Sequence, residues 1–170
     1  MSESLINNVY ITHSKGVSAF HRPVTNKELL DTARSVLDSQ ANKNKDFFDD
    51  THSAKNYFRL NIGSLEREVF ACAFLSNNHQ LIEFEVLFMG TIDTASVYPR
   101  EVVKRALQLN AAAIVLGHNH PSGNTTPGEA DKHITKAIKD ALVLFDIRIL
   151  DHIIVGPSLS ACSFADVGLL

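Results

Sequence analysis

The sequence predicts an α/β protein with a mixed central sheet flanked by helices. Apolar segments of strand length alternate with longer segments in which apolar residues recur at helical spacing. In addition, two apolar segments are separated only by a short polar turn, Asn77 to Gln80, so these two strands are expected to form an antiparallel hairpin. With 170 residues, the chain is long enough for one domain with a substantial core.

The N-terminal part of the chain carries the weakest pattern. Residues 5–6 and 9–11 are apolar enough to form a short strand. Thr25 to Glu28 has the spacing of a capping box, and the apolar residues after it follow a helical period to about Gln40. One helix is therefore predicted before residue 41.

The following residues, 41–50, are mostly polar and charged, which is typical of a surface connection. This composition divides the chain. We expect residues 1–50 to be an N-terminal extension with one helix, either part of the domain or packed on it. Residues 51–170 then form the main domain.

Within the main domain, a helix is predicted from about Ser53 to Ile62, ending at Gly63. The hairpin consists of residues 69–75 and 81–88, which are rich in strand-forming residues. Pro99 fits the first position of a helix that runs to about Asn110.

The last third of the chain continues the alternation of strands and helices. Residues 111–116 predict a buried strand, and residues 119–127 contain the glycine, prolines and small polar residues of a loop. A helix follows over residues 128–144, and strands are predicted at 147–155 and 160–164. The residues of this helix expected to face the core are Ile134, Ala137, Ile138, Ala141, Leu142 and Phe145.

Charge and composition argue against several classes of function. The formal net charge is −3, so no global basic field draws the molecule to DNA or to an anionic membrane. No apolar run approaches the roughly 18 residues of a membrane span, and the first residues do not resemble a secretory signal. Two cysteines without a disulfide framework are typical of reduced thiols. We therefore expect a cytoplasmic protein with no membrane partner.

The sequence HNHPSG, His118 to Gly123, follows the predicted strand 111–116 almost directly. Residues two apart in an extended segment point the same way, so the imidazoles of His118 and His120 can share one metal ion. Asp131, in the first turn of the next helix, can close a three-ligand site. Two histidines and a carboxylate form a set that zinc accepts while a fourth position stays open for water. Taken singly, each histidine could be a surface loop residue, and Asp131 could simply stabilise a helix N-terminus. These roles do not explain why the three residues occur together.

A hydrolytic zinc site also needs a base that takes a proton from water and delivers it to the leaving group. Six glutamates are candidates for this base: Glu66, Glu68, Glu83, Glu85, Glu101 and Glu129. Glu68 stands at the start of the 69–75 strand, where a neighbouring parallel strand would bring it beside the metal. Spacing alone does not separate Glu68 from Glu66, and both also fit solvated charges ahead of a strand.

Roughly residues 55–170 closely resemble the RadC-type proteins, a branch of the JAB/MPN (JAMM) metalloprotease superfamily. The matching pieces are LEREVFACAFLSNNHQLIEFEVLFMGTI, VYPREVVKRALQLNAAAIVLGHNHPSG, TPGEADKHIT and DIRILDHIIVG. The resemblance implies an α/β/α sandwich similar to the cytidine-deaminase fold, with residues 51–170 as the RadC-like JAB/MPN domain. Full-length RadC proteins carry a helix-hairpin-helix segment before this domain. Residues 1–50 are too short for that segment and lack its motif, so we expect one of the short forms.

The family pattern is a glutamate on an early strand, then His-x-His, seven residues, serine, two residues and aspartate. On this chain the glutamate falls on Glu68, two residues before Phe70. The three ligand positions fall on His118, His120 and Asp131. The resemblance therefore implies one zinc ion per chain held by these three residues. It also implies that Glu68 polarises the attacking water as general acid and base.

The chain departs from the superfamily at position 128, where the patterned serine is replaced by Gly128. That hydroxyl is thought to help stabilise the oxyanion of the intermediate, and loss of one such donor commonly lowers the rate by ~10²–10³. Ser122 or a backbone N–H would have to take its place. Metal binding should survive the change, because position 128 is not a ligand.

Asp151 and His152 also belong to the resemblance. A buried histidine beside a metal site can orient a ligand through a hydrogen bond, and His152 is a candidate for that role. The alternative is a satisfied core pair that holds the strand ends, and we favour it over the orienting role.

Together these features predict a zinc-dependent hydrolase of amide bonds, a metallopeptidase or isopeptidase acting on a peptide or protein. A competing hypothesis is a DNA-repair-associated accessory protein whose metal site is structural or vestigial. Only the family's association with DNA repair supports it, whereas the acidic net charge and the lack of an aromatic and basic stripe oppose it. A nucleobase deaminase ranks last, because the chain lacks the Pro-Cys-x-x-Cys zinc signature of those enzymes.

Overall fold

The structure is a computed structural model that describes residues 2–6, 9–14, 17–20, 23–43, 48, 50–90, 97–158 and 160–170. The chain consists of two compact units, residues 1–43 and residues 44–170. Part of the predicted surface connection, residues 44–47 and 49, lies outside the described residues. None of the described helices is both long and apolar enough to cross a membrane.

The described residues of the first unit form three strands and one helix: β1 (Ser2–Ile6), β2 (Val9–Ser14), β3 (Val17–Phe20) and α1 (Asn26–Lys43). The strands form an antiparallel sheet in the order β1-β2-β3. The residues predicted to form one short strand belong to two paired strands, and β3 was not predicted. The capping box of α1 is confirmed, because the Glu28 amide donates to Thr25 Oγ1 while the Thr25 amide donates to the Glu28 carboxylate.

The second unit has a mixed five-stranded sheet in the order β5-β4-β6-β7-β8, which confirms the predicted α/β class. Strands β6 and β7 are parallel, and the other neighbouring strands are antiparallel. The elements of this unit are α2 (Thr51–Ile62), β4 (Val69–Leu75), β5 (Leu81–Met89), α3 (Pro99–Gln108), β6 (Ala113–Asn119), α4 (Glu129–Leu142), β7 (Arg148–Val155) and β8 (Ala161–Ser163).

Helices cover both faces of the sheet, as expected for an α/β/α sandwich. The alternating side chains of buried strand β4 enter two different cores. Ala71 and Ala73 pack on one face with Phe58 and Ile62 of α2. Phe70, Cys72 and Phe74 pack on the other face with residues of α3 and α4, namely Val102, Ala106, Ile138 and Leu142.

Two differences from the predicted boundaries bear on the site and on the core. Strand β6 begins at Ala113 and extends to Asn119, three residues beyond the predicted end, because β4 and β7 pair with its backbone through His118 and Asn119. Helix α4 ends at Leu142 and is followed by a single 3₁₀ turn. Ala137 of α4 is exposed, so its predicted place in the core was wrong. Phe145 lies in the 3₁₀ turn and is also exposed, contrary to its prediction. The tighter turn ends the helical spacing on which that prediction depended.

Gly117 allows helix α2 to pack closely on the strand that carries the histidines. A Cβ atom added at this position would overlap the ring of Phe58, which is fully buried in the α2 face of the core. The close approach of Phe58 to the backbone therefore depends on the missing side chain. It fixes the position of β6 just before His118.

We expect Gly117→Ala to destabilise the protein by about 1–3 kcal/mol, because the added methyl overpacks a dense core. Chemical denaturation measures this loss. In the background of Phe58→Leu, which removes part of the ring, the same substitution should be less harmful than in the wild type. Equal losses in the two backgrounds would show that the contact with Phe58 is not the cause.

Candidate metal centre

The two histidines of the HNHPSG segment converge at the end of β6. His118 pairs with Phe70 of β4 and is 2% exposed. The backbone of His120 stays bound to the sheet, since its amide donates to the Val155 carbonyl at 2.8 Å. As the spacing predicts, both rings lie on the same side of the strand, and their Nε2 atoms are 2.9 Å apart.

Asp131 lies in the first turn of α4, where its carboxylate contacts both imidazoles. Its Oδ1 is 3.2 Å from His118 Nε2, and its Oδ2 is 3.9 Å from His120 Nε2. Oδ2 also accepts the amide hydrogen of Gly128 at 2.8 Å. Burial raises the pKa of Asp131. With protonated imidazoles, the hydrogen bond and charge of His118, the Gly128 amide and the charge of His120 outweigh burial and lower the pKa to about 2. The carboxylate is therefore an anion at neutral pH.

Glu68 also lies beside the histidines. One carboxylate oxygen of Glu68 and one ring nitrogen each of His118 and His120 are all within 4.8 Å of one another. The expectation that a parallel strand would bring Glu68 beside the histidines was wrong. Strand β4 is antiparallel to β6, so the start of β4 adjoins the end of β6 and brings Glu68 to the site. Glu66 is exposed, and it does not belong to this group.

Two carboxylates thus flank the histidine pair. Among the described residues, Glu68 and the two histidines lie close enough together to hold a metal ion, whereas the resemblance gives the third ligand position to Asp131. Asp131 Oδ1 directly contacts His118 Nε2. Both carboxylates are therefore candidates for the third ligand.

Asn119, which sequence reasoning missed, ties the start of β4 to the histidine segment. Its side chain points away from the imidazoles and is completely buried. Oδ1 accepts from the Val69 amide at 2.8 Å, and Nδ2 donates to the carbonyls of Leu65 and Arg67 at 3.0 and 3.1 Å. These bonds hold the backbone on both sides of Glu68. The sequence did contain one signal for Asn119. It lies between His118 and His120, so in an extended segment its side chain must point to the opposite side from theirs.

The hydrogen bonds of His120 show that the site suits a cation. His120 Nδ1 is 2.5 Å from the Asn124 carbonyl oxygen, and a carbonyl can only accept. Nδ1 therefore carries the hydrogen, and in the neutral ring the lone pair of Nε2 points at His118 Nε2 and the Asp131 carboxylate. Lone pairs and a carboxylate that converge in this way match a ligand set for a divalent metal ion.

The side chains of Asp151 and His152 have different partners on the two faces of β7. Asp151 bonds to the C-terminal segment, accepting from the Ser163 hydroxyl and the Ala165 amide at 2.5 and 3.0 Å. His152 lies on the other face of β7, where its Nε2 is 2.8 Å from His118 Nδ1. Burial, and then the charge of His118, lowers the pKa of His152 well below its ordinary value, so this ring is neutral. Only His152 contacts a candidate ligand.

Ser122, a candidate for oxyanion support, and position 128, where the superfamily has a serine, differ in their surroundings. Ser122 is exposed, and its hydroxyl accepts from the Asn124 amide at 3.4 Å. Gly128 immediately precedes α4 with φ −81° and ψ 168°, an extended conformation that any residue can adopt. A Cβ atom at Gly128 would lie 3.3 Å from Asp131 Oδ2. A serine there would therefore stand next to the candidate metal ligands.

Comparison with known proteins identifies the kind of domain that carries this site. A family model described as the RadC-like JAB domain matches residues 48–169. A UPF0758 protein of Vibrio cholerae is 49% identical over 143 residues, which cover 84% of this chain and 89% of the relative. The UPF0758 protein YkfG of Escherichia coli is 48% identical over 144 residues, or 85% and 90% of the two chains. A UPF0758 protein of Leptothrix cholodnii is 50% identical over 142 residues, but only 63% of its length is covered.

We expect the metal-free protein to bind zinc and to become more resistant to unfolding. A ligand that binds only the folded state adds about 2.7 kcal/mol when its free concentration is 100 times Kd. His120→Ala should abolish most of this stabilisation, because it removes one converging lone pair. Thermal unfolding with and without zinc measures the effect.

The matched control is His133→Ala, which removes an exposed histidine two residues beyond Asp131. This variant should keep the full stabilisation by zinc. Equal stabilisation of wild type and His120→Ala would contradict a metal site at the histidine pair.

Proposed function

The chain belongs to the RadC-like JAB domain family, and from this premise we propose that it is a zinc-dependent hydrolase that cleaves amide bonds in peptides or isopeptides. The convergence of His118, His120 and Asp131 at one end of the sheet, with Glu68 beside them, carries the proposal. Packing alone gives no reason to bring two imidazoles and two carboxylates to one point. Binding of a divalent cation does give such a reason.

In this proposal the three residues of the family pattern, His118, His120 and Asp131, hold the metal ion. A zinc ion bound there would supply a Lewis acid that polarises a substrate carbonyl and lowers the pKa of a water to about 7. His120 would bind the ion through the Nε2 lone pair, because the Asn124 carbonyl holds the ring hydrogen on Nδ1. Asp131 would bind it as an anion whose second oxygen is held by the Gly128 amide.

Glu68 is the proposed general acid and base. Its carboxylate would take a proton from the attacking water and deliver it to the departing amine nitrogen, which completes cleavage of the amide bond. The bonds from the Asn119 side chain to the backbone of Leu65, Arg67 and Val69 restrict the backbone that carries this carboxylate. A general base must stay within hydrogen-bond reach of the proton it removes, so this restraint favours the role.

We expect Glu68→Gln to lower the rate of peptide hydrolysis by about 10²–10⁴, the usual contribution of a positioned acid or base. Zinc content should stay close to that of the wild type, because Glu68 is not a ligand in this proposal. Hydrolysis of a peptide library, together with metal analysis of the same samples, measures both quantities.

Glu66→Gln is the matched control, since it makes the same change two residues earlier at an exposed position. It should leave the rate of hydrolysis unchanged. Stoichiometric zinc without Glu68-dependent cleavage of any amide would refute the hydrolase. In that case a salt-dependent affinity for DNA that persists in His118→Ala would favour the accessory role.

Gly128→Ser should raise the rate of hydrolysis, by up to about 10²–10³, because it restores a hydroxyl at the position where the superfamily places an oxyanion donor. The extended backbone of Gly128 accepts a side chain, and the new Cβ atom needs only a small shift of the Asp131 carboxylate. Comparing kcat of wild type, Gly128→Ser and Gly128→Ala isolates the hydroxyl. An increase that is equally large with alanine would contradict the oxyanion role.

A further inference from the structure

A continuous chain of buried hydrogen bonds links the backbone of Asp131 to the ring of His118. The Thr135 hydroxyl is 2.5 Å from the Asp131 carbonyl oxygen and 2.5 Å from His152 Nδ1. His152 Nε2 is in turn 2.8 Å from His118 Nδ1. Thr135 is 3% exposed and His152 is 0% exposed, so these bonds form without competition from water.

The direction of the first two bonds follows from the chemistry of the groups. A carbonyl oxygen can only accept, so the single hydrogen of the Thr135 hydroxyl is donated to the Asp131 carbonyl. The same hydroxyl must then accept in its contact with His152. His152 Nδ1 is therefore the nitrogen that carries a hydrogen.

The remaining bond fixes the state of His118. In the neutral ring of His152, a hydrogen on Nδ1 leaves a lone pair on Nε2. That lone pair accepts a hydrogen from His118 Nδ1. This bond leaves the Nε2 position of His118, which faces His120 and Asp131, for a lone pair.

From this chain of bonds we infer that Thr135 and His152 are positioning residues of the metal centre, which hold His118 in the tautomer that presents its Nε2 lone pair to a metal ion. The inference rests on the proposed metal centre, but it does not require hydrolysis. Neither residue touches the substrate in this proposal. Both act through the first histidine ligand.

The bonds also join two ligands to each other. Asp131 contacts His118 directly through its side chain and indirectly through its own carbonyl, Thr135 and His152. This closed ring connects the first turn of α4 to the end of β6. Polar partners that orient a metal-binding histidine typically change metal affinity by about 10–100-fold when they are removed.

A satisfied polar cluster in the core would show the same distances, so the test must detect the tautomer itself. In Thr135→Val the hydroxyl is replaced by a methyl group of similar size, and His152 Nδ1 loses its acceptor. His152 can then carry its hydrogen on Nε2 and donate it to His118 Nδ1. That arrangement places the hydrogen of His118 on Nε2 and blocks the proposed metal-binding nitrogen.

The experiment measures ¹⁵N chemical shifts of the histidine rings and zinc affinity by competition with a chelator. In wild-type protein, both metal-free and zinc-loaded, His152 should carry its hydrogen on Nδ1. Thr135→Val should lower zinc affinity by about 10–100-fold and shift His152 toward the Nε2–H tautomer. Thr135→Ser, which keeps the hydroxyl, should restore both the affinity and the tautomer.

An Nε2–H tautomer of His152 in the wild type would overturn the inference, even if the valine variant did not fold. Unchanged zinc affinity in folded Thr135→Val would also overturn it. The outcome is separate from the test of hydrolysis. Zinc binding with the expected tautomers and no cleavage refutes the hydrolase and leaves the positioning role in place.

Discussion

The pairing of Phe70 with His118 across antiparallel strands β4 and β6 is the constraint on which the site depends. It places the start of β4 next to the end of β6, so Glu68 and the two histidines meet although about 50 residues separate them in sequence. It also sends His118 and Phe70 to the face covered by α3 and α4. A shift of one residue in this register would turn His118 into the opposite core, away from Asp131.

Burial and hydrogen bonding work together around the histidines. His118 and His152 lie almost without solvent between the sheet and α4, where an unpaired ring nitrogen would cost about 1–3 kcal/mol. The Asn124 carbonyl accepts the ring hydrogen of His120, and the Thr135 hydroxyl accepts that of His152. His152 in turn accepts the ring hydrogen of His118, so the bonded hydrogens point away from Asp131. The same bonds that make the rings tolerable in the core therefore leave electron pairs pointing at one place.

Local patterns predicted most of the fold and the main members of the site. The hairpin of β4 and β5, the capping box at Thr25 and the His-x-His spacing each express a rule of short range. The end of β6 was not predictable in this way, because His118 and Asn119 resemble a loop by composition and are strand only through pairing on both sides. Asn119 and Thr135 were missed for the same reason. Most of their partners are distant carbonyls, amides and rings that no sequence period reveals.

In the first turn of α4, the Asp131 carboxylate has two different partners. Asp131 uses Oδ2 to satisfy the otherwise unpaired amide at the helix N-terminus, and it turns Oδ1 toward His118. With Oδ2 engaged in this way, Oδ1 is the oxygen that faces the histidines. If Asp131 holds a metal ion as proposed, the capping bond at Gly128 orients the carboxylate for that ion. Hydrogen exchange at the Gly128 amide would then report whether the carboxylate stays in this position.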